Sequence, residues 1–338
     1  MATPTRWGLC AAGAISNDFT IALKCLPASE HQVACVAARN LSRAQEFAKK
    51  FDIPKVYGSY QELAADENLD IIYIGVIHPA HYEICKLMIN AGKNILCEKP
   101  MTMCKRQTQE LVDLAKEKNV FLMEALWSRF LPAYEFIRKE LKAGTIGEPK
   151  YLTAEFCVDL SGYNLERLTN KDFGAGALVD LGPYTVGMAM WAFDDEYPEQ
   201  IVASGHLNNE GFDVCSGAVF KFSKGRLACI TQSCTVDSGS QAFIYGTKGK
   251  IEVKFPMWTP STVIVNDKAH TFPPPESPFK TNFVNSTNLS FEARAVRECL
   301  LAGQKECGGA THEYSLKLIS IIDELKRQLG VQYDCDKV

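Results

Sequence analysis

No apolar run in this 338-residue sequence approaches the ~20 residues that a membrane-spanning helix needs. The opening Met-Ala-Thr-Pro-Thr-Arg-Trp lacks the apolar core of a secretory signal. Basic residues do not outnumber acidic ones: 36 Lys and Arg face 40 Asp and Glu, for a formal net charge of −4. That balance argues against a nucleic-acid footprint. There are thirteen cysteines, an odd count, yet no Cys-x-x-Cys pair and no metal-ligand spacing. Several of them (Cys10, Cys35, Cys97, Cys229) lie inside apolar, strand-like runs. They read as free buried thiols of a reducing cytoplasm, not as a disulfide framework. Internal repeats and low-complexity segments are missing too.

What remains is ordinary for a soluble globular protein: 46% apolar and 22% charged residues. The length exceeds what one core usually serves, so two domains are expected, 1–125 and 126–338. In the first, short apolar runs (Trp7–Ala11, Val33–Ala38, Ile71–Val76, Ile95–Cys97, Val120–Met123) alternate with helical patterns (Asp18–Leu26, Ser42–Phe51, Ser59–Ala65, His81–Ala91, Lys105–Lys118). Alternation of this length predicts an α/β fold with a parallel sheet covered on both faces. Ser42-Arg-Ala-Gln45 fits a capping box, and Gly92 fits the position just past a helix end.

The first strand leads into Gly8-Leu-Cys-Ala-Ala-Gly-Ala-Ile-Ser16. Against the dinucleotide fingerprint G-x-G-x-x-G/A this reads Ala11-x-Gly13-x-x-Ser16, with small residues at two glycine positions. Gly13 would let the backbone approach a pyrophosphate, and the helix N-terminus behind it would hold the charge. Gly13, Ile15 and Ser16 are therefore candidate cofactor contacts, although a plain tight βα turn would look similar. The second strand ends at Arg39, where an NAD-binding chain usually places Asp or Glu for the ribose 2′-hydroxyl. Arg39, with Arg43 four residues on, suits a 2′-phosphate instead, so NADP is the expected cofactor. His78 and His81 follow the third long strand and could line the same site. No third ligand accompanies them, and no metal is expected.

Asn94-Ile-Leu-Cys-Glu-Lys-Pro100 closes a short buried strand with Glu98 and Lys99, and Pro100 ends the ladder. In an open parallel sheet, ligands bind beyond the carboxyl ends of the strands. Glu98 and Lys99 are thus placed for chemistry, although an isolated Glu-Lys-Pro is more often a surface ion pair.

After Ala125 the pattern changes. An aromatic-rich crossing segment carries Trp127, and β character then dominates: Ile201–His206, Ser216–Phe222, Leu227–Cys234, Gln241–Tyr245, Ile251–Phe255 and Thr262–Val265. Ser223-Lys-Gly225 and Thr247-Lys-Gly249 are hairpin signals, so the second sheet should be mostly antiparallel and open on one face. A final helix is expected over Glu313–Leu329, and a long polar loop from Pro273 to Asn288 could serve as a flap. Within Gly174–Trp191, Asp180 can cap the following helix and Tyr184 lies one turn later. An acid and a phenol placed so are candidates for proton transfer and substrate orientation, or simply a cap and a core residue.

The degenerate fingerprint, Glu98-Lys99-Pro100 and Asp180-x-x-x-Tyr184, in that order and spacing, resemble the glucose–fructose oxidoreductase / inositol dehydrogenase family over nearly the whole chain. The resemblance implies an N-terminal Rossmann domain holding NADP(H) and a C-terminal α/β domain on an open antiparallel sheet. The exposed face of that sheet would make a homodimer. It further implies Lys99 as the catalytic lysine, Asp180 and Tyr184 in the site, and His78 and His81 beside the cofactor. Trp127, Phe156 and Phe279 would form an apolar substrate wall. The basic residues that line some relatives' sites have no clear match near Glu155–Asp159. The implied activity is NADP-dependent oxidation of a ring secondary alcohol, on a cyclic diol or pyranose sugar. A catalytically silent NADP(H)-binding sensor is the alternative, which would not need Lys99 and Tyr184 together.

Overall fold

The structure is a computed structural model and describes residues 3–160, 162 and 166–337. The chain forms two compact units. One comprises residues up to Thr102, Arg106–Phe130 and Pro274–His312; the other comprises Met103–Lys105, Leu131–Pro273 and Glu313 onward. The division is more interleaved than a single cut near residue 125.

In the first unit, β1 (Thr5–Cys10), β2 (His31–Ala37), β3 (Lys55–Tyr57), β4 (Ile71–Ile74), β5 (Ile95–Glu98) and β6 (Leu122–Ala125) form one parallel sheet in the order β3-β2-β1-β4-β5-β6. β4, β5 and β6 are buried at every position, as expected for strands covered on both faces. The connecting helices are α1 (Ala14–Lys24), α2 (Leu41–Phe51), α3 (Tyr60–Ala65), α4 (His81–Asn90) and α5 (Lys105–Glu117). The expected cap at Ser42 is displaced. Asn40 is the N-cap of α2, its side chain accepting from the Arg43 amide at 3.1 Å, which leaves Ser42 inside the first turn. The full capping box lies instead at Ser59 and Glu62 of α3. Gly92 has φ +72°, as its helix-end position requires.

The segment from Pro274 to His312 completes this unit. It carries α9 (Leu289–Leu301), and the Leu122 amide of edge strand β6 donates to Lys305 O at 3.1 Å. Covering the edge in this way blunts a pairing surface. The expected flap is latched down: the fully buried Asp18 carboxylate of α1 accepts from the Asn282 amide (2.9 Å), the Phe283 amide (2.8 Å) and Ser286 Oγ (2.6 Å).

In the second unit, β7 (Pro149–Cys157), β8 (Gln200–Leu207), β9 (Asp213–Phe222), β10 (Arg226–Ser233), β11 (Ala242–Gly246), β12 (Gly249–Val253), β13 (Thr262–Val265) and β14 (Lys268–Thr271) make a sheet ordered β14-β13-β12-β11-β7-β10-β9-β8. It is antiparallel except for the β7–β10 pair. The expected hairpins β9–β10 and β11–β12 are present, and β7 is a central strand that sequence reading omitted. The helices are α6 (Pro132–Lys142), the short α7 (Glu166–Thr169), α8 (Ala177–Ala192) and α10 (His312–Leu329), the last starting one residue inside the first unit. Buried nearly all round, α8 packs on β7, β9 and β10. Alternation along the strands leaves Tyr151, Val202, Val219, Leu227 and Tyr245 exposed, with Tyr151 directly beside both Leu227 and Tyr245 and with Val202 beside Val219. None of the thirteen cysteines is in a disulfide. Among the described residues, no helix is long and apolar enough to cross a membrane.

Candidate active site

The turn after β1 is built for a phosphate. Ala11 holds φ +94°, the left-handed region that a fingerprint glycine usually supplies. Gly13 is the N-cap of α1, and no side chain caps that end. A Cβ added to Gly13 would meet only Gly75 O, at 3.9 Å, so its face is open to an approaching group. Ser16 is fully buried and its Oγ has no hydrogen-bond partner. The third fingerprint glycine normally allows close helix–strand packing. Here Gly75, at the end of β4, gives that space: a Cβ there would lie 2.7 Å from Ser16 Oγ. Sequence reading missed Gly75, although it sits in the Gly75-Val76-Ile77-His78 strand end. Ile15 opens α1 beside this turn. These features fit a dinucleotide pyrophosphate. Arg39 and Arg43 are exposed past the end of β2, and among the described residues neither has an ion-pair partner.

At the neighbouring strand ends the expectations divide. Lys99 is buried, at 8% exposure, which removes the surface ion-pair reading. Glu98 is buried with it, but its carboxylate turns to the protein: Tyr73 Oη donates to Oε1 at 2.6 Å and the Lys99 amide to Oε2 at 3.3 Å. Glu98, expected beside the cofactor, is also a support for the loop. The loop is fixed further by the Met101 amide, which donates to Glu124 Oε1 at 2.8 Å. His81, expected beside the cofactor, has both ring nitrogens engaged by the protein. Its ring is fully buried, with Nδ1 2.8 Å from Pro100 O and Nε2 3.1 Å from Val76 O. Burial lowers its pKa to about 4. The ring is thus neutral at pH 7 and donates through one nitrogen, most simply across the shorter contact. It ties the end of β4 to the residue after Lys99. His78 remains half-buried, edge-on to His81 at 5.8 Å.

Trp127 is buried in a single 3₁₀ turn, Trp127–Phe130. Phe279 is elsewhere: its ring neighbours are Phe51 (6.0 Å) and Lys24 (6.0 Å), at the far ends of α2 and α1. Eleven helical residues separate Gly13 from Lys24, a rise of roughly 16 Å. Phe279 covers helix ends there and does not join a wall beside the turn.

In the second unit, Asp180 and Tyr184 stand one turn apart near the start of α8, but Asp180 is not its cap. The helix begins at Ala177, and Asp213 of β9 reaches across to accept from the Leu178 amide at 2.9 Å. Asp180 instead takes Arg167 Nη1 at 3.4 Å. Arg167 is a basic residue at this site that sequence reading did not find, because it lies on a short helix before the Gly174 turn. Tyr184 is buried, its ring 5.6 Å from Phe156 and 6.5 Å from Trp258. Phe156 and Trp258 stack at 3.7 Å and 5°. Trp258 was also missed; it follows Pro256-Met257 in a turn that carries no periodic signal. Acid, phenol, guanidinium and aromatic face suit a ring bearing hydroxyl groups: the planar surfaces pack on it, and Asp180 and Tyr184 offer an acceptor and a donor.

Two buried histidines make an acid-sensitive contribution to the fold. His31 and His81 both have pKa values lowered to about 4, His31 by burial and then by Arg297 and Arg294. The unfolded chain binds their protons below pH 6.5, so stability is lost as pH falls from 6.5 towards 4, by up to about 3 kcal/mol for fully buried His81. Asp213 acts in the opposite sense, since burial raises its pKa to about 6 and its folded form takes up a proton first. Glu292 and Asp323, whose pKa values burial also raises, act in the same sense as Asp213, so the histidine effect is isolated by substitution. In urea denaturation, His81→Gln is expected to lose less stability than wild type between pH 7 and pH 4.5, and equal losses would contradict the buried-histidine account.

Two family models match the chain: an oxidoreductase family with an NAD-binding Rossmann fold over residues 5–126, and the GFO/IDH/MocA C-terminal domain over residues 134–252. The chain belongs to the GFO/IDH/MocA oxidoreductase family. It is 45% identical over 329 residues to trans-1,2-dihydrobenzene-1,2-diol dehydrogenase of Xenopus tropicalis, covering 97% of this chain and 99% of that one. It is 45% identical over 331 residues to the protein of the same name from Danio rerio, covering 98% of each. Among solved structures, the 3-ketoreductase KijD10 from Actinomadura kijaniata, in complex with NADP and TDP-benzene, superposes with a TM-score of 0.82 at 24% identity, covering 97% of this chain and 98% of that one. The chain is therefore an oxidoreductase with an NAD(P)-binding Rossmann domain.

Proposed function

We propose that this oxidoreductase uses NADP⁺ to oxidise a ring secondary alcohol, taking trans-1,2-dihydrobenzene-1,2-diol to catechol, D-xylose to its lactone, or both. The observation that carries the reading is a buried lysine, Lys99, at the carboxyl end of β5 in a chain 45% identical to dihydrodiol dehydrogenases. Arg39 and Arg43, exposed and without ion-pair partners among the described residues, support the 2′-phosphate and hence NADP over NAD. When bound, the nicotinamide accepts the hydride from the carbinol carbon. The chain's own residues handle the rest. Lys99 Nζ and Tyr184 Oη share removal of the hydroxyl proton, Asp180 with Arg167 orients the hydroxyl groups, and Trp127, Phe156 and Trp258 pack on the ring. For either substrate the balance is one NADPH and one proton released per alcohol oxidised. The presence of both Lys99 and Tyr184 speaks against a silent sensor.

The test is nicotinamide absorbance with each substrate and with NADP⁺ or NAD⁺. Turnover with NADP⁺ on either substrate is expected; NADPH binding without turnover on both would return the sensor reading. We also propose a homodimer through the second sheet, supported by the row of exposed apolar side chains from Val202 to Tyr245. Sedimentation should give twice the chain mass, and a monomer at micromolar concentration would refute it. Thirteen cysteines without a disulfide suit a reducing compartment, so we place the protein in the cytoplasm. Its recovery from a secretory lumen would overturn that placement.

A further inference from the structure

Behind Lys99 lies a second carboxyl group that the reaction above does not use. Glu292, on α9, is fully buried, and neither of its oxygens has a hydrogen-bond partner. Glu98 and Cys307 act on it electrostatically, and it acts in turn on Tyr73, whose hydroxyl donates to Glu98. Tyr73, Glu98 and Glu292 are all buried, and the Phe19 ring stacks on Tyr73 at 3.8 Å. Of the charged groups on the elements packed against α9, Asp18 on α1 accepts from Asn282, Phe283 and Ser286, Arg129 on the Trp127 turn donates to Gly309 O, and neither hydrogen-bonds Glu292.

Two carboxylates cannot both stay ionised in a sealed, low-dielectric interior. The donors decide which one holds the charge. Glu98 accepts from the Tyr73 hydroxyl and the Lys99 amide, and each favours its ionised form. Glu292 receives none, so it is the member left with the proton.

We propose that Glu292 is a positioning residue that keeps one proton of the Glu98–Glu292 pair, so that Glu98 remains a carboxylate and holds the Lys99 backbone in place. Burial first, and then the Glu98 and Cys307 charges, push the Glu292 pKa well above the usual carboxylate range. Ionisation of Glu292 at alkaline pH would set two like charges side by side and loosen the amide bond that fixes Lys99. The inference rests on Lys99 being the functional lysine.

The experiment compares wild type, Glu292→Gln and Glu98→Gln in the full-length protein. Infrared spectroscopy at neutral pH should show a protonated-carboxyl band that is lost in Glu292→Gln. A spectrum unchanged by Glu292→Gln overturns the proposal. In kcat/KM against pH, Glu292→Gln should stay within about threefold of wild type at pH 7, as its amide mimics the neutral acid. Its alkaline limb should move upward by about one pH unit or more, because it has no proton to lose. A purely structural role would leave the limb where it was, and that result also overturns the proposal. If wild type turns over neither substrate, the functional reading has failed separately. Amide exchange of the peptide spanning residues 95–103, corrected for intrinsic rates, then replaces kcat/KM. It should rise at alkaline pH in wild type and not in Glu292→Gln; parallel curves overturn the proposal.

Discussion

Lys99→Met is expected to lower kcat by about 10³-fold while NADPH binds within a few-fold of wild type, in line with the usual contribution of a positioned proton-transfer group. The substitution suits the site. Methionine has a similar length and volume and is at home in a buried setting, so the space is filled and only the amine is lost. The loop around it is held by bonds that do not involve the side chain: the Lys99 amide to Glu98, the Met101 amide to Glu124 and Pro100 O to His81. A fold defect is therefore not expected, and a thermal melt checks that point. Stopped-flow binding of NADPH together with steady-state turnover separates the two effects. A variant that keeps a tenth of the activity would assign the proton step to Tyr184 alone.

The second large effect concerns cofactor choice. Arg39→Ala is expected to weaken NADPH by about 10–100-fold, the loss of one charge-assisted contact to a phosphate, and to leave NADH nearly unchanged. The position explains the asymmetry. Arg39 lies just beyond β2, where the ribose-facing residue of a dinucleotide site stands, and its side chain is exposed with no ion-pair partner among the described residues. Arg43 should show the same sign with a smaller effect, since its backbone also serves the Asn40 cap of α2. Equal losses for NADPH and NADH would show that these arginines do not read the 2′-phosphate.

Much of this was legible in the sequence, and for identifiable reasons. Strands buried on both faces write continuous apolar runs, so β1, β2, β4, β5 and β6 could be located and their parallel pairing expected. β3 has three residues and β7 carries polar residues on its open face, and neither gives a clear run. Positions were legible where they are set locally: Gly13 in the turn after β1, Lys99 just past β5, and Asp180 one turn before Tyr184 on α8. The site was not legible where a side chain's direction decides its role. Glu98 and His81 occupy the expected places, but their polar atoms turn inward to Tyr73, Pro100 and Val76. Nor could sequence place partners distant in the chain, such as Arg167 on Asp180, Trp258 on Phe156 or Phe279 on Phe51.

The latch on Asp18 has a consequence for the order in which the protein is made. By the time residue 130 has left the ribosome, every strand of the nucleotide-binding sheet has been synthesised, yet the donors for Asp18 lie at residues 282–286 and the cover for β6 at residue 305. Until about 150 further residues emerge, α1 carries a carboxylate meant for a sealed interior, and β6 presents an open edge for about 25 residues more. The sheet that begins the chain is among the last parts to be finished, and a nascent chain paused in the second unit exposes that edge to its neighbours.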